Sequence, residues 1–345
     1  MRLRDFVIST VAFAAGGLLL SAAPGRPQSS FPTPPVAPMP GAPEFPGAEA
    51  VPAMPASPAA PAAPATPTME MNLHGGSRSW RDGPVSDCSQ LHMQFHDEDA
   101  AVESEQRTFS KGEAKVLRVD ELENGGTQLQ GWDKDVYSVT ACKAADATRG
   151  DAKQLLSEIK LTVHGGQVSV SGPSRHNGWN VFLLIRTPRA AEVELAAHNG
   201  PVSFYSVDGK ITARGVNGPI SMEDCSGEAD ISAVNGPISF SGTGGKLRLH
   251  TQNGPISVAL NAATWSGDGL VADAVNGPLT LRVPSGFQSS FVVESNGHSP
   301  MSCHASICND ARKTWDDEHR RIEYGSGTPL IRLSTENGPI SVNTL

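Results

Sequence analysis

Cys303-His304-Ala305-Ser306-Ile307-Cys308 is one place where this 345-residue chain could hold a metal. Thiolate and imidazole suit zinc, but a closed zinc site wants four ligands, and this stretch has two Cys and one His. The alternative is a disulfide that staples a loop, and in an oxidising compartment that is the expected state. Further on, Asp316, Asp317, Glu318 and His319 stand together within Trp315 to Arg321. These are the groups of acid–base or metal chemistry. Adjacent residues of a helix point in different directions and cannot converge on one atom, so a solvated helical charge run is expected here. A third set is Ser203, Ser221, Ser239 and Ser257, continued by Thr280 and Ser341. Stacked on neighbouring strands they would form a hydroxyl row able to bind polysaccharide or ordered water. An ordinary solvated strand face would look the same. No Ser-His-Asp order and no phosphate-binding Gly loop appears, so no catalytic residue, metal or cofactor is expected.

The hydroxyl row depends on a repeat. His198 to Ser203 reads HNGPVS, and the phrase returns as VNGPIS from Val216 and Val234, QNGPIS from Gln252, VNGPLT from Val275 and ENGPIS from Glu336. Its asparagines are Asn199, Asn217, Asn235, Asn253, Asn276 and Asn337, with a poorer copy at Asn296. The first three gaps are 18 residues each. A fixed period near this length marks a repeat architecture. Six and four residues before each Asn lie apolar or Ala side chains, such as Ile211 and Ala213; three and five after lie others, such as Ile220 and Met222. Spacing of two is strand spacing with one face buried. At Asn296 the apolar slots hold Ser290 and Ser299. A second turn bisects each unit, at Asp208-Gly209, Ser226-Gly227 and Gly244-Gly245.

Two architectures fit. Asn-Gly and Asp-Gly are favoured hairpin turns, so an antiparallel meander is one. The other is a solenoid, in which equal phases of successive coils touch and like residues stack. Only the solenoid gives a reason to repeat Ile-Ser at one phase. It predicts that Ile220, Ile238 and Ile256 stack in adjacent layers. It also predicts that Asn199, Asn217, Asn235, Asn253, Asn276 and Asn337 form an inward-facing amide ladder. Pro after Gly would sit at a strand start, where its missing N–H costs little. The expected class is therefore all-β: a single-stranded β-solenoid, or β-helix, of roughly 18–20-residue coils.

The phrases VNGPISF, SGEADISAVNGPIS and YGSGTPLIRLSTENGPISV resemble the bacterial adhesin-like family of β-strand repeats, long carried as a domain of unknown function. The resemblance covers about Leu155 to Leu345. It implies an exported or membrane-linked β-solenoid, and it brings no catalytic residues with it.

The remaining sequence sets the context. Arg2 and Arg4 precede an uncharged, mostly apolar run from Phe6 to Ala23. Residues 1–23 read as a signal peptide, with an uncleaved N-terminal anchor as the alternative. No Cys lies near the cut, so no lipoprotein site is expected. Fifteen of the 27 prolines fall in residues 24–69, a Pro/Ala-rich linker expected to be disordered. About 275 residues remain, enough for a sizeable core. They divide into an N-terminal β region or cap at 75–155 and the repeat domain at 156–345, with an insertion at 298–328. Cap and insertion are expected to close the two ends of the stack. The net charge of -9 lies beyond the linker, which argues against nucleic acid and anionic lipid as partners. Contact with membrane is expected only if the N-terminal segment is retained. Five Cys in an exported chain suggest two disulfides, Cys303–Cys308 and Cys88–Cys142, with Cys225 unpaired at a turn. The expected function is a non-enzymatic cell-envelope protein, periplasmic, on the cell surface or extracellular, with a structural or adhesive role. Its partner would be a surface or extracellular polysaccharide or an envelope protein. A sensor or regulatory envelope module is one alternative. A polysaccharide-active β-helix enzyme is another, but it would need acidic or basic side chains clustered at one phase.

Overall fold

Alternating apolar and polar residues bury one face of each strand, and the strands of this chain then stack by phase. The computed structural model describes residues 72–73, 83–95, 98–148, 150–173, 178–296, 298–316, 319–326 and 330–345. The targeting segment and the linker lie outside the described residues, as do Asp317 and Glu318. Among the described residues the chain is all-β with one short α-helix, arranged mainly in two large mixed sheets.

The N-terminal block contains β1 (Ala101–Ser110), β2 (Val116–Trp132), β3 (Val136–Ala145), α1 (Ala152–Glu158), β4 (Lys160–His164), β5 (Gln167–Ser171) and β6 (Trp179–Pro188). The repeats follow as strand pairs: β7 (Glu192–Asn199) and β8 (Val202–Tyr205), β9 (Lys210–Asn217) and β10 (Ile220–Glu223), β11 (Glu228–Asn235) and β12 (Ile238–Gly242). Next come β13 (Gly244–Asn253) and β14 (Ile256–Leu260), then β15 (Ser266–Asn276) and β16 (Leu279–Val283). The last part holds β17 (Phe291–Asn296), β18 (Met301–Cys303), β19 (Arg312–Trp315), β20 (His319–Tyr324), β21 (Ile331–Asn337) and β22 (Ile340–Thr344).

The first sheet runs β1–β3–β6–β2–β8–β10–β12–β14–β16–β22–β18. The second runs β4–β5–β2–β7–β9–β11–β13–β15–β21–β17–β20–β19. From β2 through the last repeat every ladder is parallel, and each repeat strand pairs with the strand one unit away. Ile220 pairs with Ile238, Ile238 with Ile256, and Ile256 with Leu279. An antiparallel meander does not occur in this stretch. The inner faces meet in one core that includes Phe204, Ile211, Ile231, Phe240 and Leu249. The longer unit between Asn253 and Asn276 places its extra Trp265 in that core, 5.9 Å from the Phe240 ring.

Three features differ from the sequence expectation. First, the repeat begins earlier. Val116–Trp132 crosses from one sheet to the other as a single strand. Leu117, Val119, Leu122 and Asn124 pair with Val193, Leu195, Ala197 and Asn199, and Thr127 and Leu129 pair with Val202 and Phe204. One bulge between Val119 and Leu122 hides the period. Second, the described residues of 312–324 form strands rather than a helix. A 3-10 turn, Ser306–Asn309, precedes the antiparallel hairpin β19–β20. Arg312 pairs there with Glu323 at 2.6 Å. Third, spatial order departs from chain order. β21 and β22 lie between the β15–β16 unit and the β17–β18 unit, so residues 291–303 cover the edge of the later strands.

At the other end α1 buries Ala152, Leu155 and Leu156 against the core. Lys143 is buried beside Glu105, with Nζ 2.7 Å from the carboxylate, and that ammonium holds the Glu105 carboxyl below its ordinary range. Among the described residues no helix is long and apolar enough to cross a membrane.

Candidate functional site

Inward apolar residues at the third and fifth positions after each Asn of the ladder force the residue between them outward. In-register stacking then lines those outward residues into a column. Ser203, Ser221, Ser239, Ser257, Thr280 and Ser341 pair rung to rung across the first sheet. The column extends beyond the repeat to Gln128 at one end and Ser302 at the other. Neighbouring strands lie about 4.8 Å apart, so the hydroxyls recur at about that spacing. Thr280 Oγ1 and Ser341 Oγ are 3.2 Å apart, and Arg282 reaches toward Ser257 Oγ at 3.5 Å.

Ser203 does not belong to the accessible row: it is 1% exposed. One rung away, Gln128 exchanges two hydrogen bonds of 2.8 Å with the Val85 backbone. The segment from Val85 to Ala100 packs on the outer side of β3 and β6 through Leu91, Met93, Phe182 and Leu184. Ser239 is exposed, and Ser221, Ser257, Thr280 and Ser341 are half-buried. The next outward column holds Tyr205, Glu223, Ser241, Ala259, Arg282 and Asn343. Burial raises the Tyr205 phenol, and burial beside Asp224 raises the Glu223 carboxyl. Hydroxyl, amide and one guanidinium therefore dominate this face, and isolated carboxylates do not converge on it.

The asparagines form a continuous ladder. Asn217 Nδ2 donates to Asn199 Oδ1 at 3.0 Å, Asn235 to Asn217 at 3.1 Å, and Asn253 to Asn235 at 3.0 Å. Asn276 donates to Asn253 and Asn337 to Asn276, both at 3.1 Å. These amides do not point inward. Asn217, Asn235, Asn253, Asn276 and Asn337 are all exposed, at the corner where the chain leaves one sheet for the other. The following Gly explains why the corner tolerates no side chain: a Cβ on Gly236 would lie 2.1 Å from the Gly218 carbonyl oxygen. Pro then supplies only its carbonyl, which accepts from the residue one unit back, as in Ile220 N–H to Pro237 O at 2.9 Å. Asn296 leaves the ladder. Its Oδ1 accepts from Ser299 N–H at 3.2 Å and Ser299 Oγ at 3.0 Å, which closes a local turn.

The cysteines are arranged as two disulfides, Cys88–Cys142 and Cys303–Cys308. The first ties the Val85–Ala100 segment to β3, and the second closes the loop after β18. Such bonds fit folding outside the reducing cytosol. Cys225 is free and buried, and burial pushes its thiol up to about 12. Among the described residues no three His, Cys, Asp or Glu side chains gather as a metal site. Asp316 and His319 sit at the tip of the β19–β20 hairpin, where Asp316 N–H donates to His319 O at 3.0 Å.

The second sheet's outer face carries charge that the Asn-Gly-Pro phrase does not announce. Lys210 pairs with Glu192 at 3.7 Å, Lys246 with Glu228 at 3.1 Å, and Arg118 with Glu194 at 2.8 Å. The signal was present: seven residues before successive asparagines stand Glu192, Lys210, Glu228 and Lys246.

No family model matches the chain, and no curated protein matches it. Some solved structures are similar. A candidate cell adhesion protein from Clostridium sporogenes shares 11% identity, covering 71% of this chain and 100% of its own, with TM-score 0.32. A candidate adhesin from Bacteroides fragilis shares 12%, covering 70% and 97%, with TM-score 0.37. A candidate lipid-binding protein from Parabacteroides distasonis shares 13%, covering 70% and 96%, with TM-score 0.28.

Proposed function

We propose that the protein is an exported, non-enzymatic β-solenoid of the cell envelope that binds a polysaccharide or envelope surface through its first sheet's outer face. The solenoid reading is supported by parallel pairing of equal phases across two sheets, with β2 passing from one sheet to the other. Export is supported by the basic and apolar start of the chain and by the two disulfides. The observation that carries the binding assignment is the in-register hydroxyl row from Ser221 to Ser341. A flat row of weak hydrogen-bonding groups suits repeated contact with a polymer, where many weak sites act together. Catalysis wants a concave pocket with convergent, perturbed groups.

The test is a binding and turnover screen of the purified protein against cell-wall and plant polysaccharides. The expected outcome is binding without turnover. Replacing Ser221, Ser239 and Ser257 together by Tyr should abolish binding while leaving the melting temperature unchanged. Turnover of any glycan that one Asp or Glu substitution abolishes would end the non-enzymatic reading.

A further inference from the structure

The Asn-Gly corner has a direction. Each Asn amide donates backward, to the Oδ1 of the preceding unit. Each Gly N–H donates forward, to the Asn carbonyl of the following unit. Gly200 reaches Asn217 O at 2.9 Å, Gly218 reaches Asn235 O at 3.1 Å, and Gly236, Gly254 and Gly277 reach Asn253, Asn276 and Asn337 O at 3.0 Å. An inner unit is therefore held on both sides. Its Asn Oδ1 accepts an amide from ahead, and its Gly nitrogen is committed to a strand carbonyl.

The last rung breaks this pattern. The segment covering it is β17–β18, in which Asn296 Oδ1 accepts from its own loop and Asn296 Nδ2 donates to the Glu336 carbonyl rather than to Asn337 Oδ1. Among the described residues no group donates to Asn337 Oδ1. The Gly338 N–H has only Ser299 Oγ, at 3.4 Å, in place of an Asn carbonyl. Asn337 is also exposed.

Asn-Gly is the dipeptide in which a backbone nitrogen most readily attacks the preceding side-chain amide, because Gly offers no steric hindrance. Asn is accordingly among the thermolabile residues. We infer that Asn337 is a site of spontaneous deamidation, and that the ladder protects the equivalent asparagines of the inner units. The Gly338 nitrogen loses its proton to water and bonds to Asn337 Cγ. The Cγ–Nδ2 bond breaks and ammonia leaves, which closes a succinimide. Water then opens the ring at either carbonyl to give aspartate or isoaspartate. No oxidant or enzyme is required.

The product alters the rung in two ways. An aspartate carboxylate at 337 cannot donate to Asn276 Oδ1, so two acceptors face each other beside Glu336. Isoaspartate adds a main-chain carbon at the corner between β21 and β22, which would shift the register of two strands buried between neighbours on both sides. The reaction would therefore act as a slow, irreversible timer that loosens the stack from this end.

The experiment ages the full-length protein at mildly alkaline pH and maps isoaspartate and aspartate site by site by mass spectrometry. A parallel sample is unfolded in denaturant. In the unfolded sample the Asn-Gly sites should react at comparable rates. In the folded sample Asn337 should react roughly tenfold or more faster than Asn217, Asn235, Asn253 and Asn276, because its Oδ1 accepts no amide and its Gly338 N–H has a hydroxyl in place of an Asn carbonyl. The Ser299→Ala variant should react faster still at Asn337, with the inner sites unchanged as internal controls. Folded-state rates at Asn337 no higher than at the inner four would overturn the inference, as would a Ser299→Ala variant whose inner sites speed up equally.

Discussion

Two regions of the molecule contrast in how they are wired. Between Glu192 and Val283 each strand pairs with the strand one unit away, and the same contacts recur: Ile on Ile, Asn on Asn, Lys on Glu. Between Ala101 and Pro188 long strands pair antiparallel as well as parallel. β3 lies between β1 and β6, a disulfide crosses 54 residues, and a buried Lys143–Glu105 pair crosses from β3 to β1. In the repeats stability is approximately a sum of unit and nearest-neighbour terms. In the block each strand depends on partners far away in sequence, so its parts should gain and lose structure together.

The largest test of that contrast is a cavity in the repeats. Phe240 is 2% exposed and packs against Trp265. Phe240→Ala should cost about 3–5 kcal/mol. Hydrogen exchange should show the loss in the units that touch it, those of Met222 and Val258. Residues 101–145 should keep their protection. Equal loss across both regions would erase the distinction.

A smaller effect is expected from the block's own crosslink. Replacing Cys88 and Cys142 together by Ala should cost about 2–4 kcal/mol through the freed chain entropy. The loss should first expose the Val85–Ala100 segment, which the bond ties to β3. Ser203 should then become accessible to probes at the end of the hydroxyl row. If the repeats lose protection before that segment does, the block and the stack are a single unit and the contrast fails.

The same contrast explains what could be read in the residues. Where each unit repeats the last, Asn217, Ile220 and Ser221 announce phase, turn and face at once. The parallel stacking of Ile220, Ile238 and Ile256 follows from one period. Where a single bulged residue interrupts the period, as between Val119 and Leu122, the rung at Asn124 goes unseen. The direction of the asparagine side chains was also not legible. The same alternation serves an amide inside a corner or outside it, so residue order alone does not place it. The hairpin at 312–324 lacks a repeat to announce it. Its charged residues read as a helix because Trp315, Ile322 and Tyr324 are too few to declare a strand period. Of the hydroxyl row, the order of residues was legible and the burial of Ser203 was not, because Val85 and Gln128 are 43 residues apart.

The smallest expected effect separates the two halves of the Asn-Gly corner. Asn235 is exposed, and its amide exchanges hydrogen bonds with Asn217 and Asn253. Removing it frees Asn217 Oδ1 and Asn253 Nδ2, but both can turn to water, so no buried group is orphaned. Asn235→Ala should therefore cost only about 0.5–1.5 kcal/mol, the net value of solvent-competed hydrogen bonds. Gly236→Ala meets a different obstacle, because its Cβ would lie 2.1 Å from the Gly218 oxygen and neither backbone can yield without shifting a rung. That substitution should cost about 1–3 kcal/mol, in the range of overpacking. Denaturant melts of the two variants decide the order. Should Asn235→Ala prove the more damaging, the ladder holds the stack together more than close backbone contact does. The repeats would then owe their local wiring to side chains rather than to the geometry of the corner.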